Sequence, residues 1–308
     1  MILIFSQRSD YATSQVCMWL QAMKKGFIRL NMEDDYVFTY ISSEKIIVER
    51  NKKQYNLLSC DSYWYRRDGI APKHFNYKKT ELSKIKLSHI RKEYQTLKEY
   101  VYMTIEGKIG ESRTIGSYFT HSVNKLHVLD LASHVGLNVP FTYVVCKKDE
   151  IMMSEPTITK PIYEGFYEID NHHFLYSYTN DLNDLAPIPP TFMASCLQTR
   201  LDKEYELRIF FLKGMYFPYA IFSQQDADTT VDSRKGEVLR YVPYKLPNSI
   251  KLKLEKLVAL LHLNTGSIDM VVTPKGEYVF LEVNPVGQFV AYGQLCNSYL
   301  DRLVAEKL

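Results

Sequence analysis

Near its C-terminal end the chain reads SIDMVVTPKGEYVFLEVNPVG, two alternating apolar runs joined through Pro-Lys-Gly, and no other stretch restricts the possible folds as tightly. Strand-length runs flanking such a turn read as a β-hairpin. Side chains alternate along a strand, so Phe280, Glu282 and Asn284 are expected on one face and Leu281 and Val283 on the other. A turn centred between Lys275 and Gly276 sets Asp269 opposite Glu282. Facing residues on one sheet face have Cβ atoms about 4.5–5.5 Å apart, and like charges so placed destabilise the pair. Some compensating charge is therefore expected. A hard divalent cation supplies one, because Mg²⁺ takes oxygen ligands, and Asn284 adds a carbonyl oxygen one pleat further on. The alternative is a register slip of one or two residues, which would leave Asp269 or Glu282 in solvent.

Upstream, ELRIFFLKGMYFPYAIFS reads as another hairpin, turning at Lys213-Gly214, and SIKLKLEKLVALLHL as a helix with Ile250, Leu254, Leu257 and Leu261 inward. The opening ILIF followed by YATSQVCMWLQAMKKG predicts a strand and then a helix with Val16, Trp19, Leu20 and Met23 on one side. A long helix is expected from about Glu81 to Ile105, with Leu87, Ile90, Tyr94, Leu97 and Val101 three and four apart. The apolar rhythm breaks around Gly107 to Ser122, where a domain boundary is expected. Beyond it, Leu126, Leu129, Ala132 and Val135 form a helical stripe ended by Gly136, and Pro140 opens a strand. Short strands and turns follow from Ile158 to Tyr178. His172-His173 lacks metal-ligand spacing and reads as loop.

At 308 residues the chain has room for two or three packed units, and 46% hydrophobic with 24% charged residues is ordinary for a soluble globular protein. A formal charge of +3 offers no concentrated basic stripe, which argues against a nucleic-acid partner. The start, MILIFSQRSD, is too short an apolar run for a signal-peptide core or a membrane span, so no membrane association is expected. Five widely spaced cysteines without a CxxC pair argue against a disulfide framework and a structural zinc site, and fit a reducing cytoplasm. There is no GxxxxGK[ST] and no GxGxxG, so the Walker and dinucleotide-binding readings lack their motifs.

The set NTGSIDMV, FLEVNPVGQF, AIFSQ and WYRR resembles the ATP-grasp ligase superfamily, and within it the graspetide (microviridin-type) peptide maturases, closest to the grasp-with-SPASM group. The match runs over nearly the whole chain and is most specific in its C-terminal third. It implies an α/β (α+β) architecture: a pre-ATP-grasp domain at 1–115, a central lid domain at 116–197 and a C-terminal antiparallel-sheet domain at 198–308. By the same resemblance, Asp269, Glu282 and Asn284 hold one or two Mg²⁺, and Lys125 and Lys160 touch the phosphates of ATP. Gln198, Thr199 and Leu201 belong to the adenine-binding hinge at 198–201, and Glu206 binds the ribose. Arg208 points at the triphosphate and the acyl phosphate. Taken without the resemblance, both lysines read as surface residues and Arg208 as one half of a sheet ion pair. DSRKG resembles a family segment that usually has an aromatic where Ser233 stands, and its Arg234 meets phosphate or a substrate carboxylate. The glycine-rich lid is thin, with Gly165 alone in YEGFYE.

The implied reaction is phosphorylation of an Asp or Glu side chain in a ribosomally made precursor peptide, followed by attack of a Ser or Thr hydroxyl or a Lys amine. An ω-ester or ω-amide macrocycle results, with ADP and phosphate released. The implied partners are that precursor, leader plus core, and a SPASM-domain protein of the same pathway; a homodimer is left open. SYWYRRDG reads either as a leader-binding surface or as a strand end packing its aromatics. Two rivals stand beside the macrocyclase: an ATP-grasp ligase of another carboxylate, such as an amino-acid or protein glutamate ligase, and a non-catalytic peptide-binding module.

Overall fold

The computed structural model of the chain describes residues 1–76, 84–152, 155–163, 166–170, 173–176, 179–185, 187–222 and 240–308. They fall into two compact units, one of Met1–His121 with Gln288–Leu308 and one of Ser122–Gly287.

The first unit is built on the strand–helix opening. It contains β1 (Ile2–Ser6), α1 (Tyr11–Ala22), β2 (Phe27–Asn31), β3 (Val37–Ile41), β4 (Ile46–Arg50), β5 (Lys53–Asn56), β6 (Ser62–Tyr65), α2 (Lys84–Ile109) and β7 (Thr114–Ile115), and near the C-terminus α5 (Val290–Leu295) and α6 (Leu300–Lys307). A four-stranded sheet runs β2-β1-β6-β7, with every pairing parallel. Parallel sheets are usually covered on both faces, and β1 is buried at every position. Leu3, Phe5, Ile28, Leu30, Tyr63 and Tyr65 face a core closed by Val101, Tyr102, Ile105 and Ile109 of α2, while Ile4 and Trp64 are buried on the opposite face. The apolar stripe of α2 thus runs four residues past its expected end. Asp10 caps α1 by accepting from the Thr13 amide at 2.7 Å. Trp19 does not join the α1 stripe; its indole N–H donates to Asp301 at the start of α6 at 3.1 Å.

The second unit contains α3 (Lys125–His134), β8 (Thr142–Lys147), β9 (Thr157–Lys160), β10 (Phe166–Asp170), β11 (His173–Tyr176), β12 (Asn180–Asp181), β13 (Thr191–Thr199), β14 (Tyr205–Leu212), β15 (Met215–Phe222), β16 (Arg240–Pro243), α4 (Asn248–Leu260), β17 (Thr265–Val272) and β18 (Tyr278–Asn284). His173 therefore opens a strand, contrary to the loop expectation, and His172 lies outside the described residues. Two larger sheets result, β12-β9-β13-β8 and β16-β15-β14-β17-β18, beside the β10-β11 hairpin. In the five-stranded sheet every pairing is antiparallel. One face is buried: Leu207, Ile209 and Phe211 of β14, with Ile268, Met270 and Val272 of β17, pack on α3 and α4 through residues such as Leu129, Leu254 and Leu257. The alternate residues, Glu206 and Arg208 of β14 and Asp269 of β17, necessarily point to the other face.

The hairpin of β17 and β18 pairs Asp269 with Glu282, as the turn centre implied, but by a different route. Next to the turn the register is one residue out, with Met270 opposite Phe280, and Leu281 is an extra residue that restores it. Such a bulge shifts the following side chains to the other face. Phe280 accordingly lies in the helix-packed core together with Val283, which corrects the expectation that Phe280 shares a face with Glu282 and Asn284. The amide of Phe280 donates outside the hairpin, to Asn138 O at 2.8 Å.

Candidate functional site

The face of the five-stranded sheet turned away from α3 and α4 carries a row of charge among buried neighbours such as Phe210, Ser267 and Val271. Arg208 pairs across β14–β17 with Asp269, and Asp269 across β17–β18 with Glu282. Arg208 Nε lies 2.9 Å from Asp269 Oδ1, and Lys125 Nζ lies 3.1 Å from Glu282 Oε2. Compensation for the paired carboxylates comes from this chain's own cations. Burial alone would raise the Glu282 carboxyl, yet Lys125, Lys160 and Arg208 hold it below its ordinary value.

Lys125 is the first residue of α3, whose cap, Asn124, accepts from the amides of Leu126 and His127, both at 3.1 Å. The first turn of α3 has no acidic residue. A helix N-terminus carries partial positive charge and favours acidic side chains, so a lysine there opposes the macrodipole. The helix end and the ammonium together make a site for negative charge. Lys160 ends β9 and pairs with Cys196 of β13. Burial pushes its ammonium down from the ordinary lysine value, partly offset by Glu282. Burial likewise pushes the Cys196 thiol up, with Lys160 and Lys125 pulling the other way, so this buried cysteine sits within the field of both lysines.

Asn284 closes the row. It pairs with Ser267, and its side-chain oxygen accepts from the Val286 amide at 3.1 Å, forming the turn that carries the chain to Gly287. The fit there is close. A Cβ on Gly287 would come within 2.5 Å of Ser267 Cβ, and one on Gly266 within 2.9 Å of the Asn284 carbonyl oxygen. Gly266, Ser267 and Gly287 thus hold Asn284 in place, and the sequence pattern marks out neither Gly266 nor Ser267, although both stand inside NTGSIDMV.

The remaining expected residues are placed differently. Gln198 and Thr199 are the last residues of β13, so the first half of the expected hinge is strand. Gln198 is buried and its amide nitrogen donates to Thr142 Oγ1 at 2.7 Å. The Thr199 amide donates to Phe141 O at 3.0 Å and the Arg200 amide to Pro156 O at 2.8 Å, so the chain leaves the sheet around Leu201. Glu206 forms an ion pair with Lys203. Arg234, Ser233 and Gly165 lie outside the described residues. All five cysteines are unpaired; Cys17, Cys60 and Cys196 are buried, and Cys146 is exposed.

Among the described residues no cluster of three or more His, Cys, Asp and Glu is arranged to hold a metal. The set on this face is two carboxylates and an amide, oxygen donors only, which is the chemistry of a hard cation and not of zinc. No described helix is long and apolar enough to cross a membrane.

No protein-family model matches the chain, and no curated protein does. Solved structures do. The macrocyclase MdnC bound with precursor peptide MdnA, from Microcystis aeruginosa MRC, is 22% identical with a TM-score of 0.78, over 99% of this chain and 98% of that one. A Chryseobacterium gregarium RiPP-associated ATP-grasp ligase, in complex with ADP and a leader and core peptide, is 21% identical with a TM-score of 0.77, over 99% and 95%. The D-Ala:D-Ser ligase VanG of Enterococcus faecalis is more distant, 13% identical with a TM-score of 0.55, over 100% and 99%. The fold of this chain is that of the ATP-grasp ligases, over its whole length.

Proposed function

We propose that the chain is an ATP-dependent macrocyclase that activates Asp or Glu side chains of a ribosomally made precursor peptide and closes ω-ester or ω-amide rings. The observation that carries this reading is the row Arg208–Asp269–Glu282–Lys125 on the sheet face opposite the helix-packed core, with Lys160 adding its charge to Glu282. Support comes from the full-length likeness to MdnC and to PsnB, the latter solved as an ATP-grasp ligase complexed with a precursor variant, Mg and ADP. The division at 115/116 and 197/198 into pre-ATP-grasp, lid and C-terminal domains is part of the same proposal.

Asp269, Glu282 and Asn284 would hold one or two Mg²⁺, whose contribution when bound is neutralisation of phosphate oxygens. The protein's own residues do the rest. Lys125 and Lys160 bind the triphosphate, and the positive end of the α3 dipole favours the same anion. Glu206 would take the ribose, and Gln198 and Thr199 at the end of β13, with Leu201 just beyond it, would hold the adenine. A substrate carboxylate oxygen attacks the γ-phosphorus and the bond to ADP breaks, giving an acyl phosphate. Arg208 stabilises charge on the transferring phosphoryl group. A Ser, Thr or Lys side chain of the peptide then attacks the acyl carbon, loses its proton and expels phosphate. Arg234 is assigned to the phosphate or the substrate carboxylate, and a SPASM-domain protein and a second copy of the chain are proposed partners.

Incubation with Mg²⁺, ATP and the small peptide encoded beside the gene tests this by mass spectrometry. Macrocyclisation removes one water and forms one ADP per ring. A gain in mass by an added amino acid would instead indicate a ligase of another substrate, and no ADP at all a binding module.

A further inference from the structure

The parallel sheet of the first unit has a topological switch point. From β1 the chain moves to β2 on one side, and it later returns as β6 on the other side of β1. In open sheets of this kind ligands bind outside the carboxyl ends of the strands, where the strand order reverses. At the carboxyl end of β6 stand Arg66 and Arg67, whose amides both donate to Phe5 O of β1, at 3.1 and 3.2 Å.

The two arginines differ in how their charge is met. Asp10 accepts from the Thr13 amide at 2.7 Å and the Thr13 hydroxyl at 2.8 Å, and Arg66 Nε approaches it at 3.3 Å. Asp10 and Arg66 are almost fully buried, at 3% and 4% side-chain exposure. Arg66 is further held by Gln288 Oε1 at 3.1 Å and by the ring of Phe289 beneath its guanidinium. Arg67 is 33% exposed, and its Nε lies 3.5 Å from the same Asp10 carboxylate, beyond hydrogen-bond length. The neighbouring acid, Asp68, is already engaged by Lys98 at 2.7 Å and by the Tyr102 hydroxyl at 2.8 Å. One buried carboxylate thus serves two guanidinium groups, and the excess positive charge falls on the solvent-facing one.

We infer that Arg67 is a substrate-binding residue, which takes a carboxylate of an acidic peptide at the switch-point crevice. A planar guanidinium pinned through its backbone offers the fork that a carboxylate accepts in bidentate fashion. Arg66 is the positioning residue, neutralised and buried so that it holds the crevice wall. The choice of a peptide carboxylate rests on the proposed function.

The test is calorimetric titration of the full chain with a synthetic peptide of alternating Thr and Glu, and with its Thr/Gln counterpart. The wild type is expected to prefer the Glu peptide. Arg67→Ala should shrink that preference by about ten- to a hundredfold, the range of a hydrogen bond to a charged group, with Arg67→Lys in between. Arg8→Ala, on the neighbouring loop and already paired with Asp34 at 2.8 Å, should keep the preference. Equal affinity for both peptides, an unchanged preference in Arg67→Ala, or an equal loss in Arg8→Ala would each overturn the assignment. Because binding alone is read, failure to form ADP would sink the ligase reading and leave Arg67 in place.

Discussion

An alanine at Gly287 puts a methyl group into space that Ser267 occupies. The new Cβ would lie 2.5 Å from Ser267 Cβ, 2.6 Å from Ser267 Oγ and 3.1 Å from the Asn284 carbonyl oxygen. Ser267 has no exposure and its Cβ is fixed to the backbone, so that atom cannot swing aside. Overpacking of this kind costs about 1–3 kcal/mol. Because β17 and β18 form one edge of the five-stranded sheet, the loss should register as faster amide exchange in residues 265–284, by about 5- to 150-fold at tenfold per 1.4 kcal/mol. Ser267→Gly removes the opposing Cβ. Alone it should cost about 0.5–1 kcal/mol as a strand glycine, but in Gly287→Ala it should recover a coupling of about 1 kcal/mol or more. Ser267→Ala keeps the clashing Cβ and should recover little. Both tryptophans, Trp19 and Trp64, lie in the first unit, so exchange by mass spectrometry is the appropriate readout and indole fluorescence is not. Wild-type protection in Gly287→Ala, or strictly additive losses in the double variant, would refute the packing argument.

Three further outcomes are expected. Glu282→Gln should abolish ADP formation in a folded protein and flatten the acid limb of stability. The Glu282 carboxyl is held below the ordinary 4.5, so between the two values the unfolded chain carries the extra proton; its stabilising contribution is complete above that window and is lost as pH falls through the folded value. An unchanged acid limb in urea titrations would contradict this. Arg208→Lys keeps the charge but not the Nε contact of 2.9 Å with Asp269, and turnover should fall by about 10²–10³-fold, read as ADP formed per minute. Asp10→Ala leaves Arg66 buried without its carboxylate and should destabilise by about 3–5 kcal/mol in denaturant unfolding, whereas a loss under 1 kcal/mol would mean that the pair is not desolvated as its burial implies.

Where partners are near in sequence, the sequence sufficed. The hairpin expected at Lys213-Gly214 forms there, both residues with positive φ, 45° and 79°, and Leu212 pairs with Met215 across the turn. The α4 stripe packs as spaced, with Leu254 and Leu257 buried and Ile250 and Leu261 against them. What could not be read depended on distant partners. Nothing in YVFLEVN marks Leu281 as a bulge; the amide of Phe280 is drawn to Asn138, far upstream, and the alternation breaks there. The same limit hid the neutralising charges. A carboxylate pair deduced from register suggested a cation, and the lysine that meets Glu282 is at the start of a helix elsewhere in the chain. Gln198 stands in a strand where a connector is expected for a related reason, since a strand end flanked on both sides by other strands looks, in sequence alone, like the start of a connector.

The internal neutralisation also bears on how the proposed substrate would enter. Three cations, Lys125, Lys160 and Arg208, act on Glu282 beside Asp269, so without ligand the face is nearly balanced, and neither carboxylate carries the penalty of an uncompensated charge. A nucleotide triphosphate arriving with Mg²⁺ brings both signs at once. The lysines can then pass to the phosphates while the carboxylates pass to the metal, a change of partners that leaves the net charge of the face small. Metal alone would have to separate Glu282 from Lys125 and Asp269 from Arg208, while nucleotide alone would pull the lysines away and strand two adjacent carboxylates. Each ligand therefore removes the cost that the other incurs, which is positive coupling in the thermodynamic sense. ADP should accordingly bind more weakly without Mg²⁺, and Mg²⁺ more weakly without ADP, by the same factor. In Lys125→Met, where Glu282 has lost its nearest cation, that factor should shrink, and calorimetric titration of each ligand with and without the other measures it; an undiminished factor would show that the ion pairs on this face do not govern entry.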